Sequence, residues 1–331
     1  MSTPGEVKKA ISNPFGPPKE PLPLPENDEI LTKNALKVFD ETPNPRHKFI
    51  FQNLVRHLHA FVKETDISTE EWMATIQFLT ETGQKCTSIR QEFILLSDVL
   101  GVSALVDAIN NPSVAGATET SVFGPFYTED AHDVPFGESI ASEGKGDYML
   151  VKGRVLDVQG QPVPNATIET WETDGFGFYD TQYVNREVPD CRGRLQSDKD
   201  GYYQYRAIVP VSYPIPGDGP VGKMLELVHR HNNRPAHLHV MIEAPGYHKL
   251  ITAVYPEGDP YVTSDTVFGV KKSLVVKLDI LESDEEIKKY GFKHGPVKVL
   301  NQDFILLTEQ QAAEARSKVT EANILKDTTF F

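Results

Sequence analysis

The run Arg234-Pro235-Ala236-His237-Leu238-His239-Val240 carries the sharpest chemistry in this chain. On an extended strand, residues i and i+2 point to one face, so His237 and His239 converge. Imidazole is a common metal ligand, and two on one strand form half a site. A pair of hydrogen-bonded histidines on a polar face is the other reading of the same pattern. His57-Leu58-His59 repeats the spacing but lies in a helical pattern, where i and i+2 stand about 200° apart. Those two rings cannot chelate together and read as surface or interface residues.

Completing such a site is the next question. No His-Glu-x-x-His run is present, and the two cysteines, Cys86 and Cys191, are far apart. That excludes a disulfide scaffold and a cysteine-rich zinc protein. Acidic residues are plentiful, but none has diagnostic spacing. Tyrosines are more suggestive: Tyr179 follows Gly175-Phe176-Gly177-Phe178, and Tyr213 sits in Val209-Pro210-Val211-Ser212-Tyr213-Pro214. A free tyrosine has a pKa near ~10, so phenolate ligation needs a hard, highly charged cation to expel the proton. That favours Fe(III) over Zn(II) or Mg(II). Residue types alone leave this as one option among several, because most tyrosines are ordinary core or surface aromatics.

The elements that must position these residues follow from patterning. Residues 1–27 form a proline-rich arm, with Pro14, Pro17, Pro18, Pro21, Pro23 and Pro25, expected to be extended or disordered. Residues 28–110 read as four helices. Asn44-Pro45 gives N-cap and N1 chemistry, Ser68-Thr69-Glu70-Glu71 a capping box, and a fourth helix is expected from Arg90 to Val106. Residues 111–146, rich in Gly, Pro, Ser and Thr, form a linker with a loop long enough to be functional. From 147 to 300 short alternating strands punctuated by turns predict an antiparallel β-sandwich. Residues 301–331 are expected to be a mobile or edge-packing tail. The fold class is therefore mainly β, an antiparallel β-sandwich domain with an N-terminal α-helical domain.

Composition bounds the rest. The chain has 331 residues, 39% apolar and 24% charged, enough for a sizeable core. Its formal charge of −14 argues against nucleic acid or an anionic membrane as partner. No apolar run approaches a membrane span, no secretory h-region follows Met1, and Thr328-Thr329-Phe330-Phe331 matches no lipidation signal. The expectation is a cytoplasmic protein without membrane insertion. Segment 111–146 is the most densely acidic, whereas His229, Arg230, His231 and Arg234 cluster near His237 and His239. A locally positive field is expected there.

The chain resembles the intradiol ring-cleavage dioxygenases, the catechol and hydroxyquinol 1,2-dioxygenase family. The resemblance rests on Gly177-Phe178-Tyr179, Val211-Ser212-Tyr213, Asn233-Arg234-Pro235-Ala236-His237-Leu238-His239 and Val122-Phe123-Gly124-Pro125-Phe126, and spans roughly residues 30–300. It implies one non-haem Fe(III) per subunit, held by Tyr179, Tyr213, His237 and His239. It implies catalytic roles for Tyr213, which takes a substrate proton, and for Arg234, a fixed cation over the ring. It implies a catecholic substrate and O2, with both oxygen atoms inserted between the two hydroxyl-bearing carbons, and a role in aromatic catabolism.

Family members divide at the pocket wall. Val122, Phe123, Gly124, Pro125 and Phe126, with Ile215-Pro216 and with Leu95 and Asp98, resemble the hydroxyquinol type, and Val267 matches a lining position. That implies benzene-1,2,4-triol as substrate and maleylacetate as product, with catechol to cis,cis-muconate as the alternative. The Asp98 carboxylate, on one helical face with Leu95, could accept a hydrogen bond from a third ring hydroxyl. Ala253 departs from the family, which usually places Gln or His on the strand after His239. A homodimer joined through the helices is also implied, and some members hold a lipid at that interface. The competing class is a non-catalytic prealbumin-like sandwich, suggested by Gly153–Ala166 and Asp198–Tyr203. A cupin-type oxygenase would want a further Glu and His in set positions.

Overall fold

The computed structural model describes residues 20–87 and 90–327. Most of the arm expected over 1–27, and the last four residues, lie outside the described residues. The chain forms two compact units, Met1–Gln77 and Phe78–Phe331.

In the first unit, α1 (Asp28–Lys37) and α2 (Pro45–Thr65) precede the start of α3 (Thr69–Lys85). Their starts are written in the sequence. The Asn44 side chain accepts from the N–H groups of Arg46 and His47 at 2.9 and 3.1 Å. Ser68 N–H donates to Glu71 at 2.8 Å while Glu71 N–H donates to Ser68 Oγ at 3.2 Å, a reciprocal box. Phe39 stacks on Phe51 at 5.5 Å. His59, in α2, bonds Thr32 in α1 at 2.9 Å, an ordinary helix–helix contact. None of the described residues from 20 to 77 is buried.

The second unit opens on α4 (Glu92–Val99) and α5 (Val102–Asn110). A single helix was expected from Arg90 to Val106. It breaks because Gly101 takes a left-handed φ of 73°, open to glycine at little cost. These two helices also belong to the second unit rather than to a separate helical domain ending at 110. Leu95 and Val99 are buried with Val221 and Leu225, which lie on α6 (Pro220–Leu227).

Twelve strands follow among the described residues: β1 (Tyr148–Asp157), β2 (Thr167–Trp171), β3 (Arg192–Gln196), β4 (Tyr202–Ile208), β5 (Tyr213–Pro214), β6 (Asn233–Arg234), β7 (Leu238–Glu243), β8 (Leu250–Pro256), β9 (Val275–Val276), β10 (Asp279–Leu281), β11 (Val297–Asn301) and β12 (Phe304–Leu306). One sheet runs β10-β11-β1-β12 with β4 on β1; the other runs β3-β2-β7-β8-β9; β5 and β6 make a ribbon. The two larger sheets pack face to face as a β-sandwich. Met149, Val151 and Val155 of β1 and Tyr203 and Tyr205 of β4 meet Ile168 of β2 and Leu238, Val240 and Ile242 of β7 in one core. The period-2 alternation of these strands is what places them there. Leu150, on the opposite face of β1, packs instead with Ile287, Phe292, Val297 and Val299, where α7 (Asp284–Lys289) covers the sheet.

Two features depart from the expected layout. Most pairs are antiparallel, but β1 pairs parallel with β11 and β12, and β8 parallel with β9. Residues from 301 onward do not begin as a tail. Phe304 sits opposite Val155 and is 2% exposed, stacked on Tyr203 at 5.7 Å, and α8 (Glu309–Asp327) follows. Short strands such as Phe304-Ile305-Leu306 offer too few residues for periodicity to register. Phe304→Ala is expected to cost about 3–5 kcal/mol, read as a lowered urea midpoint; a midpoint equal to the parent's would place β12 outside the core.

Segment 111–146 has no strand of its own, yet its backbone is paired. Val134 N–H donates to Arg194 at 2.7 Å and Ile140 N–H to Arg206 at 3.0 Å. It thereby covers the open edges of β3 and β4, which would otherwise present free backbone groups.

Candidate active site

All the site residues expected from the sequence fall in the second unit. His237 and His239 stand at the start of β7, 2% and 1% exposed, with their Nε2 atoms 3.1 Å apart. The carbonyl of Pro235 lies 2.7 Å from His237 Nδ1, which puts the proton on Nδ1 and leaves the Nε2 lone pair facing inward. His239 lies flat against Trp171 at 4.8 Å, and its Nδ1 is buried without a hydrogen-bond partner. Burial holds both rings well below the usual histidine range, helped at His237 by the charge of Arg234 and at His239 by His237 and then Arg234, so both are neutral.

Tyr179 and Tyr213 meet these histidines from the other side. Both are buried, with Oη atoms 3.1 Å apart, and the Tyr213 ring lies 5.5 Å from that of His237. Burial pushes both phenols up, most strongly Tyr179, so neither ionises unaided. Phe126 stacks on Tyr179 at 4.4 Å. Behind it Arg192, 1% exposed, donates to the Phe126 carbonyl at 3.0 Å and binds Asp180 through Nε at 3.0 Å. One buried guanidinium thus ties the loop before Tyr127 to the turn that carries Tyr179.

Arg234, 3% exposed, lies on β6 opposite Tyr213 on β5. Its Nη1 stands 3.0 Å from His237 Nε2. Burial opposes its charge, but Asp265 and the surrounding phenols outweigh burial and keep it protonated. Leu95, Val122, Ile215 and Val267 are buried in one cluster with both tyrosines. Gly124 lies against the His239 ring. Asp98 is buried, and burial raises its carboxyl above the ordinary range against a hydrogen bond from Ser103 and the charge of Arg234. Asp98, Val122, Phe123 and Gly124 also line an open cleft of about 620 Å³, whose wall does not include the two tyrosines or the two histidines. Pro125 and Pro216 sit beside these residues in the chain. His229, Arg230 and His231 do not face the site: they line a separate surface cleft with Val262 to Val270. The buried positive charge at the site is that of Arg234, with Arg192 behind Tyr179, rather than a histidine cluster.

The donor set can be tested against the metal it suggests. Among the described residues no three His, Cys, Asp or Glu side chains gather as a metal site. A metal here must use the tyrosines. Two neutral imidazoles turned together, one with its outer nitrogen unpartnered, and two buried phenols in contact fit a hard, highly charged cation. Such a cation would bring the phenolates into being and be neutralised by them. Ala253 lies opposite His239 in the β7–β8 register and is fully buried, so no polar side chain backs the ring from that strand. Trp171, Asp265, Tyr255 and Arg192 were not foreseen. Trp171 could have been, because its register with His239 follows from pairing β2 on β7.

Comparison with known proteins identifies the family. The family model described as "Dioxygenase" matches residues 122–295, and "Catechol dioxygenase N terminus" matches 44–118. An intradiol ring-cleavage dioxygenase of Aspergillus niger is 46% identical over 87% of this chain and 87% of its own length. A 6-chlorohydroxyquinol 1,2-dioxygenase of Cupriavidus pinatubonensis is 50% identical over 74% of this chain and 89% of its own. The crystal structure of hydroxyquinol 1,2-dioxygenase from Pseudomonas putida DLL-E4 superposes with a TM-score of 0.80 at 49% identity, covering 85% of this chain and 99% of that one. The two family matches and the long, high-identity alignments define a ring-cleaving dioxygenase rather than a passive binding module. The chain belongs to the intradiol ring-cleavage dioxygenase family and is an enzyme of that class, one that in general depends on non-haem iron(III). Among the described residues no helix is long and apolar enough to cross a membrane.

Proposed function

We propose that this enzyme cleaves hydroxyquinol (benzene-1,2,4-triol) between its two adjacent hydroxyl-bearing carbons, adding both atoms of O2 to give maleylacetate. The observation that carries the reading is Asp98: a buried carboxyl on the same helix as Leu95, hydrogen-bonded by Ser103 and feeling the charge of Arg234, on the wall of the open cleft. A third ring hydroxyl would give that carboxyl a partner that catechol lacks. The hydroxyquinol-type names of its relatives favour the same substrate.

In this reading Tyr179, Tyr213, His237 and His239 hold one Fe(III) per chain. When bound, the ion makes the paired ring hydroxyls acidic and activates the ring toward O2. Tyr213, a phenolate only when the ion is bound, would accept a substrate hydroxyl proton at Oη and return to the neutral phenol. Arg234 presents Nη1 to negative charge that develops on the ring, a fixed donor in a water-poor site. Leu95, Val122, Ile215 and Val267 hold the ring and exclude water. The loop from Phe123 through Pro125 to Phe126, with Gly124 against His239 and Ile215-Pro216 across from it, shapes the wall.

Oxygen uptake with hydroxyquinol, catechol, protocatechuate and pyrogallol tests the reading. The highest kcat/KM is expected for hydroxyquinol, and Asp98→Ala should lower the preference for hydroxyquinol over catechol about tenfold. A clear catechol preference in the parent, yielding cis,cis-muconate, would overturn the assignment.

We also propose a homodimer joined through α1 and α2. Leu54, Leu58, Phe61 and Val62 make an exposed apolar stripe at helical spacing, in a unit with no buried residue among those described. A face of this kind calls for a partner, and a second copy carries the matching one. Two free cysteines, one of them buried, suit work in the reducing cytoplasm.

A further inference from the structure

Arg234 is held by more than its burial. Nε lies 3.2 Å from Asp265 Oδ1, and Nη2 lies 3.3 Å from Asp265 Oδ2. This is a two-pronged contact that fixes the plane of a guanidinium as well as its position. Tyr255 Oη accepts from the same Nη2 at 3.3 Å. With Nε and Nη2 both engaged, the remaining edge, Nη1, is the one turned to His237.

Asp265 is itself restrained. Its Oδ1 accepts from Val267 N–H at 3.3 Å and its Oδ2 from Gly269 N–H at 2.9 Å. Ser121 Oγ donates to the Gly269 carbonyl at 2.7 Å and contacts Tyr255 Oη at 3.2 Å. A Cβ on Gly269 would stand 2.9 Å from Val122 and 3.0 Å from Arg234 Nη2, so the loop 265–269 closes around the guanidinium with no room to spare. Asp265 is 6% exposed. A buried arginine without a counter-ion is unfavourable, and one beside a bound cation more so. Asp265 removes that conflict while leaving one N–H edge free to act.

We propose that Asp265 is a positioning residue for the reaction. Its carboxylate, anchored by its own loop, sets the Arg234 guanidinium so that Nη1 faces the His237 end of the site, with Tyr255 as a secondary brace. The inference rests on the reading of Arg234 as the cation that meets charge developing on the substrate.

The test compares the parent with Asp265→Asn, Asp265→Glu and Tyr255→Phe. Iron content, thermal midpoint, the visible band of the anaerobic hydroxyquinol complex, kcat and KM are measured on each. At equal iron content Asp265→Asn should lose about a hundredfold in kcat, the scale of a misaimed donor, with KM changed less than about threefold. The band of the anaerobic complex should form as in the parent. Asp265→Glu should recover part of kcat, and Tyr255→Phe should lose about tenfold. A kcat within threefold of the parent at retained iron would overturn the inference, as would losses that only track iron or thermal midpoint. If Asp265→Asn does not fold, an unchanged kcat in Tyr255→Phe does the same. A parent without iron or oxygen uptake would instead overturn the functional reading on which the inference rests.

Discussion

Tyr179→Phe and His237→Ala are expected to purify colourless and without stoichiometric iron, and the parent is expected to be wine-red through phenolate-to-iron charge transfer. Tyr179→Phe is the cleaner of the two. The ring that stacks on Phe126 at 4.4 Å is kept, and the one hydrogen bond of its hydroxyl, to Tyr213, is lost together with the hydroxyl. What disappears is one of the two phenols proposed to hold the metal as anions. Altering a residue that merely orients a ligand costs about 10–100-fold in metal affinity, and removal of a ligand should exceed that. Metal analysis and the visible spectrum read the result. Iron and activity retained in either variant would refute the proposed ligand set.

Asp180→Ala is expected to be the most destabilising single substitution near the site, by about 3–5 kcal/mol, or roughly a 10 °C fall in Tm. Among the described residues Arg192, 1% exposed, would keep its hydrogen bond to the Phe126 carbonyl but lose those to Asp180. Removing both partners in Asp180→Ala/Arg192→Met should recover a large part of the loss, since the cost lies in the orphaned charge more than in the pair. Thermal unfolding of the two single variants and the double, all metal-free, measures the coupling. Additive losses would show that the pair has no special weight.

These two expectations mark what the sequence did and did not reveal. His237 and His239 announce themselves, because a strand aligns i and i+2 and little else is needed. Helix starts at Asn44 and Ser68 were equally plain, since capping is local chemistry. Tyr179 and Tyr213 were suggestive as phenols, but their spacing is that of any two tyrosines, and resemblance to a family was needed to assign them as ligands. Asp180, Arg192 and Asp265 gave no signal at all. Their partners are set by the crossing of sheets and loops, which a one-dimensional pattern does not encode. The division at Gly101 was missed for a different reason: the apolar residues on both sides keep one helical phase, and a lone glycine does not distinguish a helix break from a tolerated defect. The parallel neighbours of β1 were hidden because parallel pairing needs distant partners, and β12 is three residues long.

That parallel pairing has a consequence for how the protein is made. β1 is the first strand of the sandwich to leave the ribosome, yet β12, which completes it, follows roughly 150 residues later, a long-range closure of the slow kind. Until residues 297–306 have been synthesised, β1 can take only β4 as a neighbour, and one of its edges stays open. At about 5–20 residues per second that interval lasts on the order of ten seconds. The sandwich cannot close progressively during translation but only near its end, and throughout that wait the nascent chain carries an apolar strand edge for chaperones to shield.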